Sequence, residues 1–320
     1  MPTLSWPTTV SDSLTSSRSL PYVTGVAGAL LIAFSAILVR FADVPPSTAA
    51  VYRCVYAVPL LAVLAWRERR RYGARPRADH RVALLAGVFL AANLVVWHHA
   101  IEAVGAGLAT VLGNVQVALV GIAAWVFLGE RPRRTTILAV PVVLVGVVLI
   151  SGVVGDAAYG NAPLLGGVLG MLTALFYAVF ILLLRQGNTD LRRPAGPLLS
   201  ATAGGGIGSL ILGALLGELD LVPTWPAHGW LFALALTSQV MGWLLISVSL
   251  PRLPAATTSI VLTLQPVGSV FLGIVLLAEA PSPLQLVGVA VVILGIILAT
   301  LTRLPAIRRR PPALDAAPSG

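Results

Sequence analysis

Gly105–Pro132 reads GAGLATVLGNVQVALVGIAAWVFLGERP, and 149 residues further on Pro254–Pro281 reads PAATTSIVLTLQPVGSVFLGIVLLAEAP. Both stretches are apolar with a glutamine near the middle, and both close on a leucine, a small residue, a glutamate and a proline. Laid together without a gap, they pair Gln116 with Gln265, Leu128 with Leu277, Glu130 with Glu279 and Pro132 with Pro281. The register continues to Ser151 and Thr300, adds Gly146 on Gly295, and matches 11 of 47 positions. Apolar composition supplies leucine matches by chance, but not the amide, acidic and proline ones. At an offset of 145, Gly25 falls on Gly170, Ala29 on Ala174, Ala33 on Ala178, Leu38 on Leu183 and Arg40 on Arg185. The chain therefore reads as two copies of one unit.

The composition says in which solvent that unit folds. Of 320 residues, 57% are apolar and 10% charged, where a soluble domain carries about 25% charge. The mean hydropathy is +0.92. A water-soluble enzyme, a disulfide scaffold and a disordered chain are all excluded. The lone cysteine, Cys54, allows neither an intrachain disulfide nor a cysteine-based metal site.

A helix needs about 20 apolar residues to cross a bilayer. Ten such runs are present: Leu20–Val39, Ser47–Trp66, Val82–Ile101, Ala106–Leu128, Thr136–Val154, Leu164–Leu184, Pro197–Leu216, Gly229–Ser249, Ala255–Ala278 and Pro283–Leu301. They are continuously apolar rather than alternating, which predicts helices and not barrel strands. The expected fold is all-α: ten transmembrane helices in two five-helix repeats. Residues 20–154 form the first repeat and 155–302 the second, between flexible tails at 1–19 and 303–320. Five crossings is an odd number, so the second copy should enter the membrane inverted.

All 21 basic residues are arginines, the net charge is +9 and the pI is near 10.9. Nucleic acid is not the expected partner, because the arginines cluster between apolar runs instead of along one face. With the N-terminus inside, 19 arginines fall in cytoplasmic segments and Arg40 alone borders the outer loops. The positive-inside bias then places both termini in the cytoplasm of a multi-pass cell-membrane protein. Glu130 falls inside and its mate Glu279 outside, as inversion requires.

Polar side chains at mid-depth are the candidate site, since lipid gives them no partner. Asn93, Asn114, Gln116, Gln239 and Gln265 lie near the middles of runs three, four, four, eight and nine. Their alternative role is hydrogen bonding between helices. Pro266, directly after Gln265, is expected to kink or interrupt its helix. Trp243 stands one turn from Gln239 on the same face and is the candidate aromatic wall. Trp97 and Trp125 near run ends read as interface anchors. Arg53 could attract an anionic substrate, or snorkel outwards to pair with Asp43. No carboxylate lies within a run, so His98 and His99 are the candidate proton-coupling groups; plain interface polarity is the competing reading. The pairs Gly166/Gly170, Gly204/Gly208 and Gly213/Gly217 predict close helix packing.

Together, the stretches Gly105–Pro132, Gly242–Pro281 and Val39–Ala65 (VRFADVPPSTAAVYRCVYAVPLLAVLA) resemble helices of the drug/metabolite transporter superfamily, EamA type. The resemblance runs from about Leu20 to Leu301. It implies two EamA domains around a central cavity that carries small metabolites or drugs, often outwards. Ala278 and Ala280 flank Glu279 where that family keeps a Gly-Glu pair, so the outer end of the ninth helix should be irregular. HExxH, GxSxG and complete GxGxxG signatures are missing, so neither an enzyme nor a cofactor is expected. The resulting expectation is a secondary transporter exporting a small molecule by alternating access. The alternative is a sensory or structural membrane protein of the same fold without transport. Oligomeric state stays open.

Overall fold

Hydrocarbon cannot bond backbone N–H and C=O groups, so a chain this apolar satisfies them within helices. The structure, a computed structural model, describes residues 10–300 apart from 130–133, 156, 189, 191, 223, 250, 251 and 254. Ten helical segments follow the ten runs in order. They are α1 (Val10–Ala33, continuing as Ser35–Ala42), α2 (Pro46–Tyr72), α3 (Arg77–Val104), α4 (Ala106–Asn114 and Gln116–Leu128) and α5 (Arg134–Ile150). The second set is α6 (Pro163–Gln186), α7 (Ala195–Leu216), α8 (Ala227–Leu234, a π-helical turn Ala235–Gly242, then Trp243–Ser249), α9 (Ala255–Leu277) and α10 (Pro283–Thr300). Among the described residues, nine spans are long and apolar enough to cross a membrane, and α5 is a shorter tenth of 17 residues. The chain is an all-helical, multi-pass membrane protein.

Helix α5 ends at Ile150 and not at Val154, because the chain turns at Ser151 and takes a left-handed conformation at Gly152 (φ 71°). The helix is not interrupted at Pro266: α9 runs unbroken from Ala255 to Leu277 with the proline inside it. The interruptions fall elsewhere, at Phe34 in α1, at Val115 in α4 and over the π-helical turn of α8.

Three helices pack against their own repeat mates: α2 on α7, α4 on α9 and α5 on α10. That is the contact pattern of a pseudo-twofold arrangement. Near the C-terminal end of α2, Glu68 accepts the N–H groups of Ala195 (2.9 Å) and Gly196 (3.0 Å) at the start of α7. At the opposite end, Glu218, just past α7, accepts the Ser47 hydroxyl (3.3 Å) at the start of α2. The mates therefore run antiparallel. Glu68 satisfies N–H groups that the start of α7 leaves unpaired, where the helix dipole favours negative charge.

Small residues bring the helices close. A Cβ at Gly87 of α3 would stand 2.5 Å from the Ala201 carbonyl oxygen of α7, and one at Gly208 would stand 2.7 Å from Ala91. Gly166 and Gly170 face Val104 and Leu112 in the same way, and Gly213 faces Leu219 and Ser47. Gly217 does not belong to that set. It is the left-handed cap of α7 (φ 70°) and has nothing within 4 Å of a built Cβ.

The arginines of the α2–α3 and α6–α7 connections gather at one end of the bundle. There Arg75 donates to the Gly187 carbonyl and Arg193 to the carbonyls of Tyr72 and Gly73. Asp190 binds both Arg192 and Arg193, and the hydrogen bonds from Arg192 hold its carboxyl down to about 2. This is the arginine-rich end of the bundle.

At the other end, α9 terminates as expected in an irregular turn. Ala278 adopts a left-handed conformation (φ 52°) where its repeat mate Gly129 does the same (φ 69°). An L-residue with a Cβ is strained there by about 1–2 kcal/mol. Ala278→Gly should therefore raise the thermal stability of the detergent-solubilised protein by about 1 kcal/mol, and a lowered Tm would contradict this account of the turn.

Candidate functional site

The interruptions in α1, α4 and α8 sit beside polar side chains: Ser35 follows Phe34, Asn114 and Gln116 flank Val115, and Gln239 lies in the π-helical turn. Such turns re-aim side chains and recur at functional positions. Here they border a small chamber of about 60 Å³ between the two halves. Its walls include Ser35, Arg53, Asn93, Asn114, Trp243 and Gln265.

Arg53 is 4% exposed. Its Nε donates to Gln239 Oε1 (2.9 Å) and its Nη1 to Ser35 Oγ (2.9 Å), while the guanidinium stands 5.9 Å from the Trp97 ring centroid. The expected pairing with Asp43 does not form. The side chain turns into the bundle, because the neutral acceptors on α1 and α8 lie on the inward face of α2. Gln239 is engaged at both ends of its amide: its Nε2 donates to Thr202 Oγ1 on α7 (3.0 Å). It therefore orients Arg53.

The other amides divide into two kinds. Asn93 Nδ2 donates to the Thr173 carbonyl (3.0 Å), tying α3 to α6, and Asn114 Nδ2 donates to the Thr110 carbonyl of its own helix (2.8 Å). Gln116 and Gln265, 6% and 9% exposed, make no hydrogen bond among the described residues. Both line a second, wider cavity of about 390 Å³ that reaches Arg185 and Asn188 at the arginine-rich end. This vestibule shares Ile32, Tyr177, Trp243 and Gln265 with the chamber. Trp243 stands edge-on to Phe180 (5.4 Å, 83°) and Tyr177 (6.0 Å, 76°), which fixes it as a rigid aromatic wall.

At the arginine-poor end the halves are shut. Ser269 of α9 donates to Thr110 Oγ1 of α4 (3.0 Å). Glu279 is 4% exposed and accepts the N–H groups of Ala106 (2.5 Å) and Gly107 (3.0 Å), the first residues of α4. A Cβ at Gly105, Gly107 or Gly273 would press on this carboxylate, so those glycines make its cradle. Toward the arginine-rich end, by contrast, Gln116–Leu128 makes no extended close backbone contact with α9 among the described residues. A polar pocket of about 210 Å³ beyond Glu279, with Arg40 and Tyr159 in its wall, shares no lining residue with the chamber. Glu130, the mate of Glu279, lies outside the described residues.

The two histidines sit apart from the chamber. His98 is buried and its Nδ1 bonds the Pro46 carbonyl (2.9 Å) at the start of α2, leaving Nε2 without a partner among the described residues. His99 Nδ1 bonds the Val95 carbonyl, and Nε2 lies 3.0 Å from Glu218. Both therefore secure helix ends. Trp97 is not an interface anchor: it is buried and faces the chamber, four residues from Asn93 on the same face of α3. Trp125 is half-exposed, as an anchor should be. Ser35, Thr110 and Tyr177 join the site without having stood out in the sequence. Tyr177 was legible by its spacing of four from Thr173, another wall residue.

No curated protein matches the chain. Among 24 solved chains that do, one crystal structure aligns over 88% of this chain and 97% of its own length, with a TM-score of 0.58 at 18% identity. That likeness shows the fold alone. The model of the EamA-like transporter family matches twice, over residues 19–152 and 164–301. Together the two matches cover most of the sequence and coincide with the two repeats. This chain is a member of the EamA-like transporter family, a membrane transporter of the drug/metabolite superfamily.

Proposed function

We propose that this protein is a secondary transporter that moves small metabolites or drug-like molecules by alternating access and exports them across the cell membrane. The observation that carries this reading is the one-sided chamber. Its polar walls connect to a vestibule at the arginine-rich end, while Glu279 and the Thr110–Ser269 bond close the opposite end. The positive-inside bias makes the arginine-rich end cytoplasmic, so this conformation is open to the cytoplasm. Loading from that side fits export.

The route to the other conformation follows from the repeat. Helices α4 and α9 are mates and touch through their arginine-poor halves. Exchanging the roles of the two halves would part Thr110 from Ser269 and bring the arginine-rich half of α4 against α9. Inverted repeats supply two such conformations of similar energy. Gln116 and Gln265 are free to bond a substrate in either state, which supports their assignment as binding groups. The coupling role considered for His98 and His99 has less support, since both bond helix ends rather than chamber groups.

Replacing Gln116 and Gln265 together with alanine should leave the fold intact and weaken saturable counterflow of a metabolite mixture in liposomes by about tenfold, the loss of two neutral hydrogen bonds. Undiminished counterflow would remove these residues from the site. Glu279→Ala should release the start of α4. In a Cys54→Ala background carrying Gln116→Cys, a membrane-impermeant thiol reagent applied at the arginine-poor side should then label about tenfold faster, because hydrogen bonds to a charged group are lost. Unchanged labelling would mean that Glu279 does not hold that side shut.

A further inference from the structure

We infer that the substrate carries a carboxylate, and that Arg53 is the group that selects it. The inference rests on the chamber being the substrate site, as proposed above. It begins with a charge that the protein does not balance. Arg53 is buried about two turns into α2, and its partners among the described residues are an amide, a hydroxyl and an indole ring. These satisfy some of its N–H groups and none of them neutralises it. A cation within a membrane costs several kcal/mol unless it is paired, and it normally marks a functional partner.

The described carboxylates are committed elsewhere or lie at the bundle ends. Glu68 caps α7, Glu279 caps α4, Glu218 binds His99 and Asp190 binds Arg192 and Arg193. The fold itself does not require a cation here either. Gln239 of α8 bridges Arg53 of α2 and Thr202 of α7, two residues on mated helices, directly. One half carries the charge and the other a neutral hydroxyl, so the asymmetry serves what the chamber holds.

The guanidinium has five N–H donors in a planar fork suited to a carboxylate. Ser35 and Gln239 use only part of that fork, and the guanidinium forms part of the chamber wall. A carboxylate on its open side would complete the ion pair. The substrate's remaining body would then lie against Tyr177 and Trp243 toward the vestibule, which favours an apolar or aromatic small acid.

The test uses the full-length protein in detergent, with benzoate, benzamide and benzylamine as shape-matched anionic, neutral and cationic probes. Affinity is read from thermal shift and from the fluorescence of the chamber tryptophans. Benzoate should bind about tenfold tighter than benzamide, a charge-assisted pair against a neutral one, and benzylamine should not compete. Arg53→Gln should abolish the preference. Gln239→Glu offers the guanidinium an internal carboxylate at the position of the present 2.9 Å bond. It should fold at least as stably as the parent and also lose the preference, which keeps the test decisive if Arg53→Gln does not fold. Equal binding of benzoate and benzamide, no binding of benzoate, or a preference that survives Gln239→Glu would overturn the inference. Selective carboxylate binding without any liposomal flux would leave it standing and refute the carrier reading. Flux of neutral or cationic compounds that ignores Arg53 would do the reverse.

Discussion

A hydrocarbon solvent supplies no hydrogen bonds, and every notable feature of this protein answers that constraint. The backbone answers it by forming helices throughout the spans. The open groups at helix starts answer it through carboxylates delivered by other helices: Glu68 to α7 and Glu279 to α4. Polar side chains at mid-depth have two ways to answer it. They bond groups on neighbouring helices, as Asn93 does with the Thr173 carbonyl and Gln239 with the Thr202 hydroxyl, or they face a hollow. The hollow exists because some of them are left over.

The two halves use the same device at opposite ends. In the α2–α7 pair, both ends are tied by a glutamate at the partner's first turn, so that contact is fixed in either direction. In the α4–α9 pair, the described residues tie only the arginine-poor end. On the proposed alternating-access reading, the first pair would be the hinge line and the second the gate. Arg40 and Arg185, matched by the repeat, border cavities at opposite ends of the bundle. That is the placement expected of equivalent positions in antiparallel copies.

Much of this was legible in the sequence, and what was not has a common cause. Run lengths gave the ten segments, and the 149-residue register singled out Gln116 and Gln265 before any geometry was known. Both quantities are one-dimensional. Counting along a run fixes depth but not facing, so Trp97, seven residues from the end of α3, read as an anchor although it faces the chamber. Arg53 read equally well as paired to Asp43, because sequence does not reveal that Ser35 and Gln239 sit on the inward side. Pro266 leaves α9 continuous, whereas Val115, with no breaker residue, interrupts α4. Packing between halves decides such breaks, and no local signal announces them. The departure from glycine at Ala278 was readable because it concerns φ, which is a local property.

The central claim is that closure of α4 on α9 at the arginine-poor end must open and re-form in each transport cycle. Thr110→Cys with Ser269→Cys, in a Cys54→Ala background, puts two thiols where the hydroxyls now stand 3.0 Å apart. Liposomal counterflow is then measured before oxidation, after oxidation and after reduction. The account predicts that the cross-link forms readily, stops counterflow and releases it on reduction. Full counterflow through the cross-linked protein would contradict it.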